Sequence, residues 1–595
     1  MTDGDTKERC EVHVMTTTGA EKPVDSVLVE CDVPMVTRDG TVLRSNVYRP
    51  SGDGPWPVLL TRLPYGKDNP PALGFHASLL DPMAAARRGY IVVVQDVRGT
   101  SASDGEFRPF RNEYTDGADT VSWAAGLPGS SGVVGMYGAS YFGHTQFAAA
   151  VEGEKALRAL IPRLRCADPL NGMYFRHGAF ELTMQVSWYL HMAVGEAVRQ
   201  YAGEPEKLLE VVRELVASTD ALGSDGYSAR PLTRFAPLYG QPLSETFFTP
   251  LENPMDASAL DFLDFSKKMD RIRVPALHMG GWYDIFLQQT IDDFVEMRRR
   301  GVPASLFIGP GFHDAVAVDP IGDRLFGVAA SDFAVDLTTS TTEIQLRWMD
   351  RWLKNEDNAA VDPAVRVFVM GENKWRTFED WPPPATHTPW YLRPAGELAL
   401  TMPASSEPDT YAYDPDNPVP TLGGAIMSDP AHRPGVFDQR PIESRPDVLT
   451  YTSEPLAEDV PVVGRITAHL WARTDAADTD FVVRLCDVRP DGRSDNITDG
   501  IVRAIYRDVP HGGEPTPLDA GKAYEYVIDM WSTANVFRAG HRIRIHVTSS
   551  NFPRWDANPN TGTPFSSAES VIAHQEILHD PQHPSHVLLP VLTSR

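Results

Sequence analysis

A chain of 595 residues is too long for one hydrophobic core, so two or three domains are expected. Lys and Arg number 54 against 80 Asp and Glu, a net charge of −26. That balance argues against nucleic acid or an anionic membrane as the main partner, since both call for a basic surface. Hydrophobic residues at 42% and charged residues at 23% exclude wholesale disorder.

Cys10, Cys31, Cys166 and Cys486 form no CxxC pair. A thiolate zinc site, a thioredoxin-like motif and a disulfide framework are therefore all disfavoured. The polar N-terminus lacks an apolar h-region, and no run approaches 18 apolar residues. The expectation is a soluble cytoplasmic protein without a membrane span.

In chain order, Val58–Thr61 and Tyr90–Gln95 read as buried strands, with a helix from Ala77 to Arg88 between them. Val133–Tyr137 is a third strand running into a helix near Tyr141, and Leu157–Leu164 is a fourth. Short apolar strands alternating with helices predict a parallel sheet. From Asn171 to Ser218 helical spacing takes over, as expected of an inserted cap. Strands resume at Val274–Met279 and Ala304–Ile308, and a helix spans Glu343–Lys354. Beyond Asn355, Val365–Met370, Arg465–Leu470 and Arg542–Val547 alternate with Asp-Pro, Asp-Gly and Gly-Gly turns, predicting an all-β sandwich or jelly roll. The boundaries expected are 1–165 with 246–356 for an α/β domain, 166–245 for the cap and 357–595 for the β domain. Pro382-Pro383-Pro384 reads as a rigid connector.

The most informative segment is Gly138-Ala139-Ser140-Tyr141-Phe142-Gly143, a G-x-S-x-x-G pattern one residue longer than the usual nucleophile elbow. With a strand before it and a helix after it, Ser140 is displayed at a helix N-terminus, where N–H groups can hold an oxyanion. A serine nucleophile needs a base and a carboxylate to orient that base. In the chain order Ser, Asp, His, the candidates are Asp284, after the strand Val274–Met279, and His313, after Ala304–Ile308. Among 17 histidines, His278 reads as core and His144 as helix packing. His579, His583 and His586 cluster without a cysteine, so a metal is not expected there.

With these residues in place, the chain resembles the cocaine-esterase-like (CocE/NonD) branch of the X-Pro dipeptidyl-peptidase (S15) family. The matching pieces include Arg62-Leu63-Pro64-Tyr65-Gly66-Lys67, Gln95-Asp96-Val97-Arg98-Gly99, the elbow, Gly280-Gly281-Trp282-Tyr283-Asp284 and Gly309-Pro310-Gly311-Phe312-His313. In the β region they continue with Tyr413-Asp414-Pro415, Asp438-Gln439-Arg440 and Ser549-Ser550-Asn551-Phe552-Pro553. The resemblance implies an α/β-hydrolase fold with a helical cap and a C-terminal jelly roll, and Ser140, Asp284 and His313 as catalytic triad. It adds the Tyr65 hydroxyl and the Tyr141 N–H as the oxyanion hole. Asp96 and Arg98 read as loop braces rather than catalytic groups.

The sister amino-acid ester hydrolases hold a substrate ammonium with carboxylates, whereas here Ile285 and Phe286 follow Asp284, and Tyr141 and Phe142 follow Ser140. A free α-amino substrate and a dipeptidyl-peptidase role are thus disfavoured. Phe142, Trp282, Phe286 and the cap residue Trp188 are the expected substrate contacts, favouring an aromatic or alkyl acyl group. The side on which Asp314 lies is open. The function expected is hydrolysis of carboxylic esters through an acyl-enzyme, with no cofactor or metal and a small-molecule substrate. Acyl transfer, or amide or peptide hydrolysis of the X-Pro or acylase type, is the alternative. A carbohydrate-binding role on an inactive hydrolase is disfavoured by the complete triad. A homodimer is the expected assembly.

Overall fold

The computed structural model describes residues 9–10, 26–69, 80–165, 168–254, 256, 258–317, 320–356, 362–509 and 513–593. Of the cysteines, Cys166 and the Cys10 side chain lie outside these residues, as do the first residues of the helix expected from Ala77. That helix is described over Pro82–Arg87.

An eleven-stranded sheet carries the first domain. Its centre runs in the order Ile91–Asp96, Trp56–Leu63, Ser130–Ala139, Leu157–Arg163, Ala276–Tyr283, Ala304–Phe312 and Val365–Val369, all paired in parallel. These strands are nearly uniformly apolar and buried because helices cover both faces. The edges are antiparallel: Val27–Val36 and Val42–Pro50 on one side, Lys374–Phe378 on the other. This is the α/β-hydrolase fold.

Between Leu157–Arg163 and Ala276–Tyr283 the chain leaves the sheet and builds a cap from helices Leu182–Gln200, Pro205–Ala221 and Ser244–Glu252. The third of these straddles the boundary expected at 245. From Ala385 onward the chain forms a second, twelve-stranded, mostly antiparallel sheet, the jelly-roll domain. Pro382-Pro383-Pro384 joins the two sheets between Phe378 and Ala385.

A short hairpin, Phe175–Arg176 with Ala179–Phe180, fastens the cap to the jelly roll. The Phe180 N–H donates to Asp556 at 2.8 Å, and the Arg503 N–H donates to the His177 carbonyl at 3.0 Å. Trp555 Nε1 donates to Glu181 at 2.9 Å. Asp556 also receives the Arg503 guanidinium at 2.9 Å, and Arg503 is held again by Asp480. Apart from the half-buried His177, these residues are buried, so each depends on its partner rather than on water. Asp556→Ala is expected to cost about 3–5 kcal/mol, because it strips a buried cation and a backbone N–H of a shared acceptor. Asp556→Asn, which keeps an acceptor oxygen, should cost less; thermal unfolding midpoints of the two variants check the order.

Candidate active site

The strand Ser130–Ala139 ends in a turn so tight that Ser140 sits at φ 55°, ψ −121°, a left-handed conformation rare for a residue with a Cβ. Two glycines permit it. A Cβ on Gly138, itself at φ 137°, would stand 2.5 Å from the Cβ of Phe142. One on Gly143 would press to 3.0 Å from the Arg165 Cβ and 3.1 Å from the Arg163 carbonyl. The helix Tyr141–Glu152 can therefore begin at once and pack directly on the neighbouring strand.

Strands Ala276–Tyr283 and Ala304–Phe312 run in parallel with Tyr283 opposite Phe312, so Asp284 and His313 leave the same sheet edge side by side. Ser140 Oγ lies 2.9 Å from His313 Nε2, and His313 Nδ1 lies 2.7 Å from Asp284 Oδ1. Because a carboxylate only accepts, Nδ1–H donates to Asp284 and Nε2 is left to accept from the serine hydroxyl. Burial works against an imidazolium here, yet the Asp284 hydrogen bond and charge, with a smaller push from Asp314, hold the His313 pKa above 6.5. Asp314 itself is exposed and acts through its charge alone.

Tyr65 follows the strand Trp56–Leu63. Trp188 Nε1 donates to its hydroxyl at 3.0 Å, which leaves the phenol proton to be given elsewhere. Burial pushes the Tyr65 pKa up to about 12, against the pull of the Trp188 N–H and the Ser140 hydroxyl, so the phenol remains a donor. Its loop is pinned by the Lys67 N–H donating to Asp96 Oδ1 at 2.6 Å. The Tyr141 side chain points away: its hydroxyl donates to Glu113 at 2.9 Å and accepts the Phe110 N–H. Its backbone N–H belongs to the first helical turn, whose donors have no carbonyl partner within the helix.

A cavity of ≈ 30 Å³ is bounded by Tyr65, Ser140, Tyr141, Trp188, Phe286 and His313. The Phe286 ring meets His313 edge-on at 5.2 Å. Two expected substrate contacts are placed elsewhere. Phe142 lies below the cavity, its ring 5.5 Å from that of Tyr65. Trp282 points to the other face of its strand, where Nε1 donates to the Phe368 carbonyl at 2.6 Å and the ring packs on Trp381. The strand register is interrupted between Gly281 and Tyr283, and the tryptophan serves the contact with Trp381 beside the connector. Tyr189, beside Trp188 on the cap, lines the cavity too, as does His144, expected to serve helix packing alone; Phe110, Met173, Met184, Gln185 and, from the jelly roll, Met427 were indicated by no motif. Asp96 and Arg98 brace loops, the latter through Asp116 and Asp39. Among the described residues no group of three or more His, Cys, Asp or Glu side chains could hold a metal.

Residues 39–315 match the X-Pro dipeptidyl-peptidase (S15) family, and residues 358–588 match the X-Pro dipeptidyl-peptidase C-terminal non-catalytic domain. The chain is 37% identical to a cocaine esterase of Rhodococcus sp., over 95% of this chain and 99% of that protein. An α-amino acid ester hydrolase has a similar structure, with a TM-score of 0.77 at 24% identity, covering 97% of this chain and 98% of that one. An aminopeptidase from a Thaumarchaeota archaeon is similar in fold at TM-score 0.76 and 24% identity, over 98% and 99% of the two chains. No helix among the described residues is long and apolar enough to cross a membrane.

The raised His313 pKa fixes a pH dependence. A fluorophosphonate labels Ser140 only while Nε2 can accept its proton, so labelling should fall on acidification through a midpoint above 6.5. Asp284→Asn should slow labelling by about 10⁴-fold, as expected when the imidazole loses its orienting acceptor; rates by intact-protein mass spectrometry check both.

Proposed function

The chain belongs to the X-Pro dipeptidyl-peptidase (S15) family, and from that premise we propose that it is a serine hydrolase of carboxylic esters working through an acyl-enzyme on Ser140. The observation that carries this reading is the unbroken relay from Asp284 through His313 to Ser140, facing the Tyr65 hydroxyl across one small cavity.

Ser140 Oγ attacks the ester carbonyl while His313 Nε2 takes its proton, and Asp284 stabilises the imidazolium. The carbonyl oxygen, now an anion, accepts from the Tyr65 hydroxyl and the Tyr141 N–H. Collapse breaks the bond to the alkoxy oxygen, which leaves as an alcohol with the proton from His313. Water then enters, gives a proton to Nε2 and attacks the acyl carbonyl. The second collapse releases the acid and returns the proton to Ser140.

Ester rather than dipeptide chemistry is supported by the cavity wall, which has no acidic lining residue among the described residues to hold a free ammonium. The Rhodococcus relative is likewise an esterase by name. The buried thiol of Cys486, which forms no disulfide, suits a reducing compartment, and we place the enzyme in the cytoplasm.

With p-nitrophenyl acyl esters, a burst of nitrophenol and a mass increase on Ser140 equal to the acyl group are expected. Ser140→Ala should abolish both; full activity in that variant would overturn the assignment. Tyr65→Phe should lower kcat by about 10²–10³-fold with little change in KM, the usual loss for one oxyanion donor.

A further inference from the structure

His144 follows Ser140 by one helical turn, and its backbone N–H donates to the Ser140 carbonyl. Its ring stands edge-on between Phe110, with centroids 4.7 Å apart, and Phe265, at 4.8 Å. The residue is fully buried, and neither Nδ1 nor Nε2 has a hydrogen-bond partner among the described residues. It nevertheless bounds the cavity that holds Ser140 and His313. Leaving two polar nitrogens unpaired in an apolar site costs stability, and a purely packing position would be better filled by an aliphatic or phenyl side chain.

We propose that His144 is a specificity-determining residue of the acyl pocket, and that the acyl group this enzyme takes is an aromatic one carrying a hydroxyl on the far side of its ring from the scissile carbonyl. The proposal rests on the esterase reading and names its substrate class. Ser140 caps the helix on which His144 lies, and both bound one cavity, so an acyl group carried on Oγ can present the far end of its ring to the imidazole. The pocket suits the ring: Phe110, Trp188 and Phe286 supply aromatic faces. Burial, together with the Arg165 and Lys268 charges, holds the imidazole pKa well below 6.5. The ring is therefore neutral and offers one donor and one acceptor, the pair a phenol needs.

The cavity of ≈ 30 Å³ has room for about two water molecules. An aryl group needs more, and Met173, Met184 and Met427 line the space that must yield. Unbranched thioethers repack at low cost, so the wall expands without moving backbone.

The test compares phenyl 4-hydroxybenzoate with phenyl 4-methylbenzoate, which match in leaving group and size, each kcat/KM divided by the ester's imidazole-catalysed hydrolysis rate at neutral pH, where the phenol of the hydroxy ester carries its proton. The wild-type enzyme should favour the hydroxy ester about tenfold, the value of one buried hydrogen bond. His144→Val should erase the preference, and His144→Gln, which keeps a donor and an acceptor, should retain part of it. If the wild type turns over both esters with a ratio near one, the proposal fails while the esterase reading stands. The same holds if His144→Val keeps the preference. Should neither ester be cleaved nor Ser140 labelled by a fluorophosphonate, the esterase reading fails and the proposal with it. The wild-type ratio is measured without any variant, so a ratio near one sinks the proposal even where a variant misfolds, and His144→Gln assigns the preference where His144→Val does not fold.

Discussion

The site depends on one backbone conformation. Ser140 is held at positive φ, which an L-residue adopts only where its surroundings over-determine it. Here they do: the Ser140 N–H donates to the Arg163 carbonyl at 3.0 Å, and its own carbonyl takes the N–H groups of Gly143 and His144. Strand and helix are thereby tied to the serine from both sides, and Oγ is thrust out of the sheet edge toward His313. An ordinary turn would return the side chain to the core, where Tyr137 and Ala139 already lie.

Beneath the elbow the support is polar rather than apolar. Arg62 donates to Gln95 and to Glu113, which in turn accepts the Tyr141 hydroxyl, all out of contact with water. Such a chain is costly to bury and strongly directional once satisfied. It fixes the first residue of the elbow helix in azimuth, which sliding apolar contacts do poorly. Asp96 does the equivalent for the Tyr65 loop through the Lys67 N–H, with its own pKa raised by burial to about 6. The polar residues flanking the catalytic strands are thus geometry setters, and their chemistry is spent on backbone N–H groups and on one another.

This division explains what could be read from the sequence. Ser140, Asp284 and His313, which lie within hydrogen-bond reach of one another, could be picked out because each follows a strand whose last residues are rich in glycine, a local pattern with a local cause. The central parallel strands were legible for the same reason, being short apolar runs. The helix Glu113–Ala125 was not, because it buries Glu113, Asp116 and Thr120 and so lacks an apolar stripe. The edge pair Val27–Val36 and Val42–Pro50, only partly buried, also lacked a continuous apolar run. Pocket walls were least legible: Phe142 and Trp282 sit beside triad residues in sequence yet turn away, while Met427 arrives from nearly 300 residues downstream of the elbow. Nearness in sequence says little about a shared cavity, since Phe142 lies on the elbow helix and Trp282 on a strand whose register is interrupted beside it.

The acidity of the chain stays outside this machinery. Where the acidic side chains behind the net charge of −26 are exposed, water and salt screen them. The cavity wall is largely apolar, and the charged pair that counts, Asp284 with the imidazolium formed when His313 takes the serine proton, is buried and correspondingly strong. Dryness is supplied by the cap: Trp188 and Tyr189 cover the cavity, and Trp188 also aims the Tyr65 hydroxyl. The helix that carries them begins at Leu182, directly after the hairpin whose Phe180 N–H and Glu181 carboxylate are bound by the jelly roll. The Tyr65 hydroxyl, which we propose as oxyanion donor, is therefore oriented through contacts that reach back to the jelly roll. Through the cap, the β domain thus helps to place a tyrosine that stands on a loop, where no sheet hydrogen bonds fix its side chain.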